Sequence, residues 1–151
     1  VVFTPLFGAL VDRVGKATLW MGIGSLMVLA AHLALRFAPQ GVPFWGYFSI
    51  AVLGVGYSLV PSAMWPSVPK IVPEKNLGTA YSLIYWIQNM GMLTVPIFVG
   101  RIFNNASGVA AANRAELIFI GLGIAATLVA AFLKASSRKH PELGLDDKNR
   151  R

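Results

Sequence analysis

Tyrosine and amide side chains recur inside one long apolar stretch, where polar groups are costly and often mark the path of a solute. Spacings of i, i+4, i+7 and i+8 place four of them along one face of a helix. They are Tyr81, Tyr85, Gln88 and Asn89. The chemistry they offer is noncovalent recognition, with amides that donate and accept hydrogen bonds beside an aromatic wall. Two alternatives stay open: Gln88 and Asn89 bond neighbouring helices together, and Tyr81 anchors the helix at the membrane interface.

A short charged loop between the first two apolar segments is the second feature of this kind. Gly8 and Gly15 bound the loop, and glycine lets a backbone turn tightly. The loop also carries Asp12, Arg13 and Lys16, whose cations can remain in headgroup water. This pattern is typical of two closely linked transmembrane helices that turn at a cytoplasmic face.

The composition places these residues in a membrane. Hydrophobic residues make up 56% of the chain and charged residues 13%, whereas about a quarter of a soluble domain is charged. The long stretches between successive charged residues each hold roughly the 20 apolar residues that cross a bilayer core of about 30 Å. Buried helices of soluble proteins usually have shorter apolar runs, of about 10–14 residues. The sequence therefore predicts an all-α membrane protein.

The cations lie at the ends of the apolar stretches rather than on a surface suited to nucleic acid. Arg138 and Lys139 directly follow the last apolar run, as in basic flanks that contact anionic lipid. No cysteine is present to form a thiolate metal site. The acids lie in loops or the tail, and the two histidines are His32 and His140, so neither an enzyme nor a resident cofactor or metal is expected. The predicted partners are the lipid bilayer and a small-molecule substrate, without nucleic acid.

The apolar stretches predict one transmembrane domain, residues 1–134, and a polar basic cytoplasmic tail, residues 135–151. The predicted spans are residues 1–11, 17–35, 44–64, 74–103 and 115–133. Lysine and arginine are concentrated in the loops after the first and third spans and in the tail, which places these parts on the cytoplasmic side. The prolines of residues 65–73 predict a bent connector. Because Val1 opens inside an apolar run without an initiator methionine, the sequence predicts a segment of a longer protein.

The charged loop resembles the signature loop of the major facilitator superfamily, in whose transporters it occurs once in each half. The pattern G-x-L-x-D-R-x-G-K is matched at Gly8, Leu10, Asp12, Arg13, Gly15 and Lys16. It departs at Ala17, where the family often has a second basic residue. In the family, the loop acid caps a helix of the opposite half and stabilises the state closed to the cytoplasm. The resemblance thus implies a gate, and a loop that only anchors the helices is the alternative.

A second resemblance covers V-P-E-x-x-L-G-T-A-Y at residues 72–81 and Q-N-x-G at residues 88–91. These motifs are similar to the tenth-to-eleventh helix region of one branch of the superfamily, which includes an animal lysosomal carrier of dipeptides. They imply the end of helix eight and helices nine to twelve, a partial C-terminal six-helix half of that fold. The cargo stays open among small polar solutes, dipeptides included. A bacterial inner or plasma membrane is expected, with the lysosomal membrane as the alternative.

In the family fold, helices ten and eleven border the cavity between the two halves. The resemblance therefore implies substrate contacts at Tyr57, Trp65, Tyr85, Gln88 and Asn89. Pro61 lacks the amide proton that a helix interior needs, so the third span is expected to bend there as a hinge. The N-terminal half of the same chain is the implied partner, because alternating access needs both halves.

The polar groups inside the predicted spans help to distinguish a transporter from a channel or receptor subunit. A secondary transporter that moves a small polar solute by alternating access needs a site near the membrane midplane. A channel or receptor subunit, the alternative, would need a ring of charges or carbonyls, which the spans do not suggest. His32, near the outer end of the second span, is interpreted as an interfacial residue rather than a proton relay. No acid is expected inside the spans, so any proton coupling is assigned to the other half.

Overall fold

The computed structural model describes residues 3–39 and 41–147, which form helices joined by short turns. The helices are α1 (Phe3–Val14), α2 (Ala17–Phe37), α3 (Pro43–Met64), α4 (Val68–Ile71), α5 (Leu77–Asn105) and α6 (Gly108–Lys139). Short 3₁₀ turns lie at Trp65–Ser67, Glu74–Asn76 and Pro141–Leu143. Within the described ranges, four stretches are long and apolar enough to cross a membrane: Ala17–Phe37, Pro43–Ile71, Glu74–Asn105 and Gly108–Lys139. The predicted all-α fold class is confirmed.

A turn of two residues, Gly15 and Lys16, joins α1 to α2. Both residues have positive φ angles, 72° and 58°, a region that glycine adopts freely and lysine rarely. Gly15 ends α1 by donating its amide to the carbonyl of Val11 at 2.8 Å. Trp20 of α2 donates its indole N–H to the carbonyl of Gly15 at 3.0 Å. These bonds fix the direction in which α2 leaves the turn.

Prolines interrupt the third transmembrane stretch without ending it. α3 contains Pro61, which cannot donate a hydrogen bond to the carbonyl of Tyr57 one turn earlier. Pro66 and Pro69 lie in the first turns of the next two helical segments, where no amide donor is needed. For this reason the stretch predicted as a bent connector is helical from Trp65–Ser67 through α4.

α2 is the central helix and packs against both α3 and α6. A Cβ atom built on Gly24 would lie 2.9 Å from the carbonyl oxygen of Gly56, and one built on Gly56 would lie 2.9 Å from that of Gly24. The two backbones are therefore in direct contact, which small residues permit between membrane helices. Such an atom on Gly22 or Gly54 would have nothing within 4 Å, so these two glycines do not make the contact.

The outer part of α2 is joined to α6 through His32. Its Nδ1 atom lies 2.7 Å from Oε2 of Glu116, and its ring stacks on Phe119 with 4.9 Å between centroids. α6 begins at Gly108 rather than near residue 115, because the alanines of residues 110–115 favour helix. Glu116 lies inside α6, as it does inside the predicted fifth span, and it contacts His32 of α2. The structure corrects the expectation that the spans contain no acid, and it places His32, which is 8% exposed, in a contact between α2 and α6.

The later helices also differ from the predicted spans. α5 extends to Asn105, and none of its residues is buried, so most of its length is open on several sides. α6 continues to Lys139, so the predicted tail begins as helix. The following turn is polar, and within it the backbone hydrogen bond to Glu142 and then the bond from His140 lower the pKa of the Glu142 carboxyl.

We predict that Gly56→Ala destabilises the protein, because its new methyl group would press on the backbone of α2 and could not be relieved by a side-chain movement. Overpacking of this kind costs roughly 1–3 kcal/mol, so thermal unfolding in detergent should occur at a lower temperature. Gly54→Ala is the matched control on the same helix. It has open space and alanine favours helix by about 1 kcal/mol over glycine, so it should leave the unfolding temperature unchanged or higher. Equal effects of the two substitutions would contradict the close backbone contact.

Candidate functional site

A cavity of about 440 Å³ lies among α2, α3, α5 and α6. Its size is within the roughly 300–1,000 Å³ that small-molecule sites occupy. Most of the wall is apolar and includes Met21, Val28, Val60, Met64, Val129 and Leu133. Polar atoms come from Ser25, Tyr57, Trp65 and Gln88. The described wall residues carry no formal charge, so the cavity suits a solute with a substantial apolar surface.

Three of the predicted substrate contacts line the cavity, namely Tyr57, Trp65 and Gln88. Tyr85 and Asn89 lie beside it on the exposed side of α5. The ring of Tyr85 stacks on Trp65 with 5.0 Å between centroids. Asn89 donates its side-chain amide to the carbonyl of Tyr85 at 2.8 Å, within its own helix. Tyr85 therefore supports the wall through Trp65, whereas the side-chain amide of Asn89 is engaged within α5.

Trp65 is the centre of an aromatic cluster that joins α5 to the end of α3. Its ring centroid lies 5.7 Å from that of Tyr81, in addition to the stack with Tyr85. The hydroxyl of Tyr81 donates to the carbonyl of Trp65 at 3.4 Å. Tyr81, interpreted from the sequence as an interface anchor, thus contacts another helix and helps to position Trp65.

The hydrogen bonds of the wall determine what a solute would meet. Ser25 donates its hydroxyl to the carbonyl of Gly22 at 3.0 Å, so this group is engaged within α2. The predicted hinge, Pro61, also lines the cavity and provides no amide proton for the carbonyl of Tyr57. The amide of Gln88 and the hydroxyl of Tyr57 add donors and acceptors. The described lining therefore offers a mainly apolar surface with a few side chains that can form hydrogen bonds.

Part of the wall carries no recognisable signal in the sequence. Four residues of α6 face the cavity, Ala126, Val129, Ala130 and Leu133. α6 also exposes large apolar side chains of the same types, such as Leu128 and Phe132. Residue type alone cannot separate a cavity wall from a surface that faces lipid, so these contacts were missed.

The predicted gating residues gather at the junction of α1 and α2. Gly8, Asp12 and Arg13 belong to α1, and the turn itself consists of Gly15 and Lys16. The predicted loop is therefore mostly helix, because no positive-φ residue interrupts α1 before Gly15. Asp12 is half-buried, whereas Arg13 and Lys16 are exposed, so two cations face outward beside an acid that is partly covered.

Comparison with known proteins found one matching protein family and several similar proteins. The family model described as Major Facilitator Superfamily matches residues 1–150. Proteins named Lysosomal dipeptide transporter MFSD1 are 41% identical over 102 residues in Gallus gallus, 40% over 103 in Mus musculus and 37% over 103 in Homo sapiens. These alignments cover 67–68% of this chain but 21–22% of the relatives, so the chain spans a minor part of their length. No solved structure matches the chain.

The family match extends over nearly the whole chain, and the relatives place it near one branch of that family. The helical fold and the membrane-length helices agree with this assignment. The predicted membership of this family is confirmed. The protein is therefore an integral multi-pass membrane protein, and the chain belongs to the major facilitator superfamily.

Proposed function

We propose that this chain is the C-terminal part of a secondary transporter that moves a small polar solute by alternating access. In such transporters two bundles rock around a site near the membrane midplane. The observation that carries the proposal is the cavity, because α5, a helix without buried residues, contributes Gln88 to its lining. A second bundle packed on α5 would complete the cavity and cover the apolar side chains that α5 exposes. The N-terminal half of the same protein is the proposed second bundle.

Dipeptides are the proposed cargo. The printed names of the relatives support this choice, and so does the chemistry of the wall. The Gln88 amide can both donate to and accept from a peptide group, while Trp65 and Tyr57 offer aromatic surface to a side chain. Because the described wall residues carry no formal charge, the charged ends of a dipeptide are expected to contact the other bundle.

A lysosomal membrane is the proposed location of the complete protein. The relatives are named as lysosomal proteins, and the bacterial alternative has no comparable support. The family match favours transport over an enzymatic activity and gives no support to a channel or receptor subunit. A selective pore would also need a ring of charges or carbonyls, whereas Glu116 inside the spans is engaged with His32.

Asp12 is the proposed gating acid at the cytoplasmic side. We place it opposite the amino end of a helix in the second bundle, where the helix dipole favours an anion. The relation is expected to be reciprocal, because the amino end of α5 has no side-chain cap of its own. The corresponding acid of the second bundle would then approach the start of α5. Both contacts would stabilise the state closed to the cytoplasm.

Gln88→Leu should raise the KM for dipeptide uptake by about 2- to 10-fold, because one hydrogen bond contributes about 0.5–1.5 kcal/mol. Leucine is of similar size, so the shape of the wall is kept. Uptake by the complete protein in proteoliposomes, compared among dipeptides, sugars and cationic drugs, measures this change. Phe132→Leu is the control, since Phe132 is 75% exposed and lies outside the wall. An unchanged KM would contradict the proposed role of Gln88, and uptake of sugars without dipeptides would contradict the cargo.

Pro61→Ala should lower the maximal transport rate while leaving KM nearly unchanged. Alanine supplies the amide proton that Pro61 cannot donate to the carbonyl of Tyr57, so α3 becomes more stable and resists bending. The same variant should therefore unfold at a higher temperature in detergent. Pro43→Ala changes a proline in the first turn of α3, where no bond is missing, and should alter neither quantity. A higher unfolding temperature with a normal rate would show that Pro61 is not a hinge.

Asp12→Asn should lower transport without changing the amount of protein inserted in the membrane. A carboxylate at a helix terminus contributes about 0.3–1 kcal/mol, which corresponds to a loss of roughly 2- to 5-fold. Uptake per molecule in reconstituted vesicles is the measurement. Asp147→Asn removes an exposed acid and serves as the control for net charge. If Asp12→Asn transports as well as the control, the gating role is wrong.

A further inference from the structure

Residues 140–147, here named the C-terminal strap, fold back onto the ends of several helices instead of extending into solvent. The 3₁₀ turn at Pro141–Leu143 and the positive φ of Gly144 reverse the chain direction. Leu145, which follows, is 4% exposed. The strap is therefore a packed element rather than a loose polar tail.

Asp146 of the strap caps the amino end of α2 from a distant part of the chain. Lys16, in the N-cap position of α2, makes no side-chain cap bond. Oδ1 of Asp146 instead accepts the amide N–H of Thr18 at 2.9 Å and the hydroxyl of Thr18 at 2.8 Å. A carboxylate in this position satisfies an amide that the helix leaves open and is stabilised by the helix dipole.

The strap also contacts three further parts of the bundle. The backbone carbonyl of Asp146 accepts the amide of Lys16 at 2.9 Å. Its Oδ2 atom accepts the hydroxyl of Ser137, near the end of α6, at 3.1 Å. Lys70 of α4 donates its Nζ proton to the carbonyl of Asp147 at 2.9 Å. The turn after α1 and the ends of α2, α4 and α6 are thus joined through two adjacent residues.

Lys16 connects the strap to the proposed gate. Its φ of 58° is rarely adopted by lysine, so this backbone conformation needs support from outside the turn. The bond from its amide to Asp146 supplies that support. We infer that Asp146 is a positioning residue for the gate, which fixes the turn and thereby the direction in which α1 presents Asp12 and Arg13. This inference rests on the gating role given to Asp12 in the proposed function.

The partners of the strap all belong to one bundle, so the strap remains docked while that bundle rocks against the other. It therefore differs from a lock that opens in each transport cycle. Asp146, Thr18 and Ser137 do not line the cavity. Loss of the cap should for that reason reduce the maximal rate and leave KM within about twofold, in contrast to the change expected for a lost solute contact.

The test uses the complete transporter with Leu145→Cys as a reporter of docking and with other reactive cysteines replaced. A membrane-impermeant maleimide, added to the cytoplasmic side, labels the reporter when the strap is undocked. Asp146→Ala should raise the labelling rate by about 5- to 30-fold, the range that corresponds to losing a helix cap. It should also lower the maximal rate of dipeptide uptake by about as much as Asp12→Asn does.

Two further variants separate the cap from a general effect of charge or folding. Asp146→Asn should restore slow labelling and most of the uptake, because asparagine is also a strong N-cap residue. Asp147→Asn removes the adjacent acid and keeps the carbonyl that Lys70 uses, so it should match the parent protein in both measurements. Thr18→Val keeps the amide donor and loses the hydroxyl, and labelling should fall between the parent and Asp146→Ala.

The outcomes distinguish this inference from the proposed function. Equal labelling of Asp146→Ala and Asp147→Asn would show that the Asp146 carboxylate does not hold the strap, and it would overturn the inference. Faster labelling with normal uptake, in a protein where Asp12→Asn does reduce uptake, would overturn the positioning role. If Asp12→Asn itself transports normally, the gate is wrong and the positioning role falls with it, while the labelling result still reports whether the cap exists.

Discussion

The direct contact between the backbones of α2 and α3 is the constraint on which the rest of the structure depends. Lipid is as apolar as a leucine side chain, so close packing must hold membrane helices together. Gly24 and Gly56 leave no room for a Cβ atom between the two helices. Their contact sets the distance between α2 and α3. Tyr57 and Pro61, which follow Gly56 on α3, line the cavity. The position of this cavity wall is thus determined by two residues without side chains.

α2 is held at three levels along its length, and each level uses a different interaction. The carboxylate of Asp146 caps its start, the glycine contact holds its middle, and the contact of His32 with Glu116 joins its outer part to α6. α5 has no buried residue and meets the end of α3 through the cluster around Trp65. In this bundle α2 packs closely on α3 and α6, whereas α5, beside the cavity, is less enclosed by the other helices. This division suits a bundle whose open side receives a second one.

Much of the fold could be predicted because charge is so costly in hydrocarbon. The gaps between charged residues predicted the membrane-length helices. The polarity of Gln88 and the family resemblance, which implied Trp65, identified two residues that line the cavity. The helix ends were less predictable. α1 continues through Asp12 and α6 begins at Gly108, because helical propensity extends beyond the apolar core. The apolar wall residues of α6, such as Leu133, could not be predicted, since lipid and a cavity select the same side chains.

The polar contacts at the two ends of α2 escape sequence analysis for a further reason. His32 and Glu116 are 84 residues apart, and Thr18 and Asp146 are 128 residues apart. Helical periodicity relates only residues a few positions apart, so it cannot predict such pairs. Both contacts form near the ends of α2, flanking the glycine contact in its middle. The ends of a helix leave backbone groups without partners in the helix, and at the start of α2 the partner comes from a distant part of the chain. The contacts at the two ends of α2 are therefore determined by the assembled fold rather than by the local sequence.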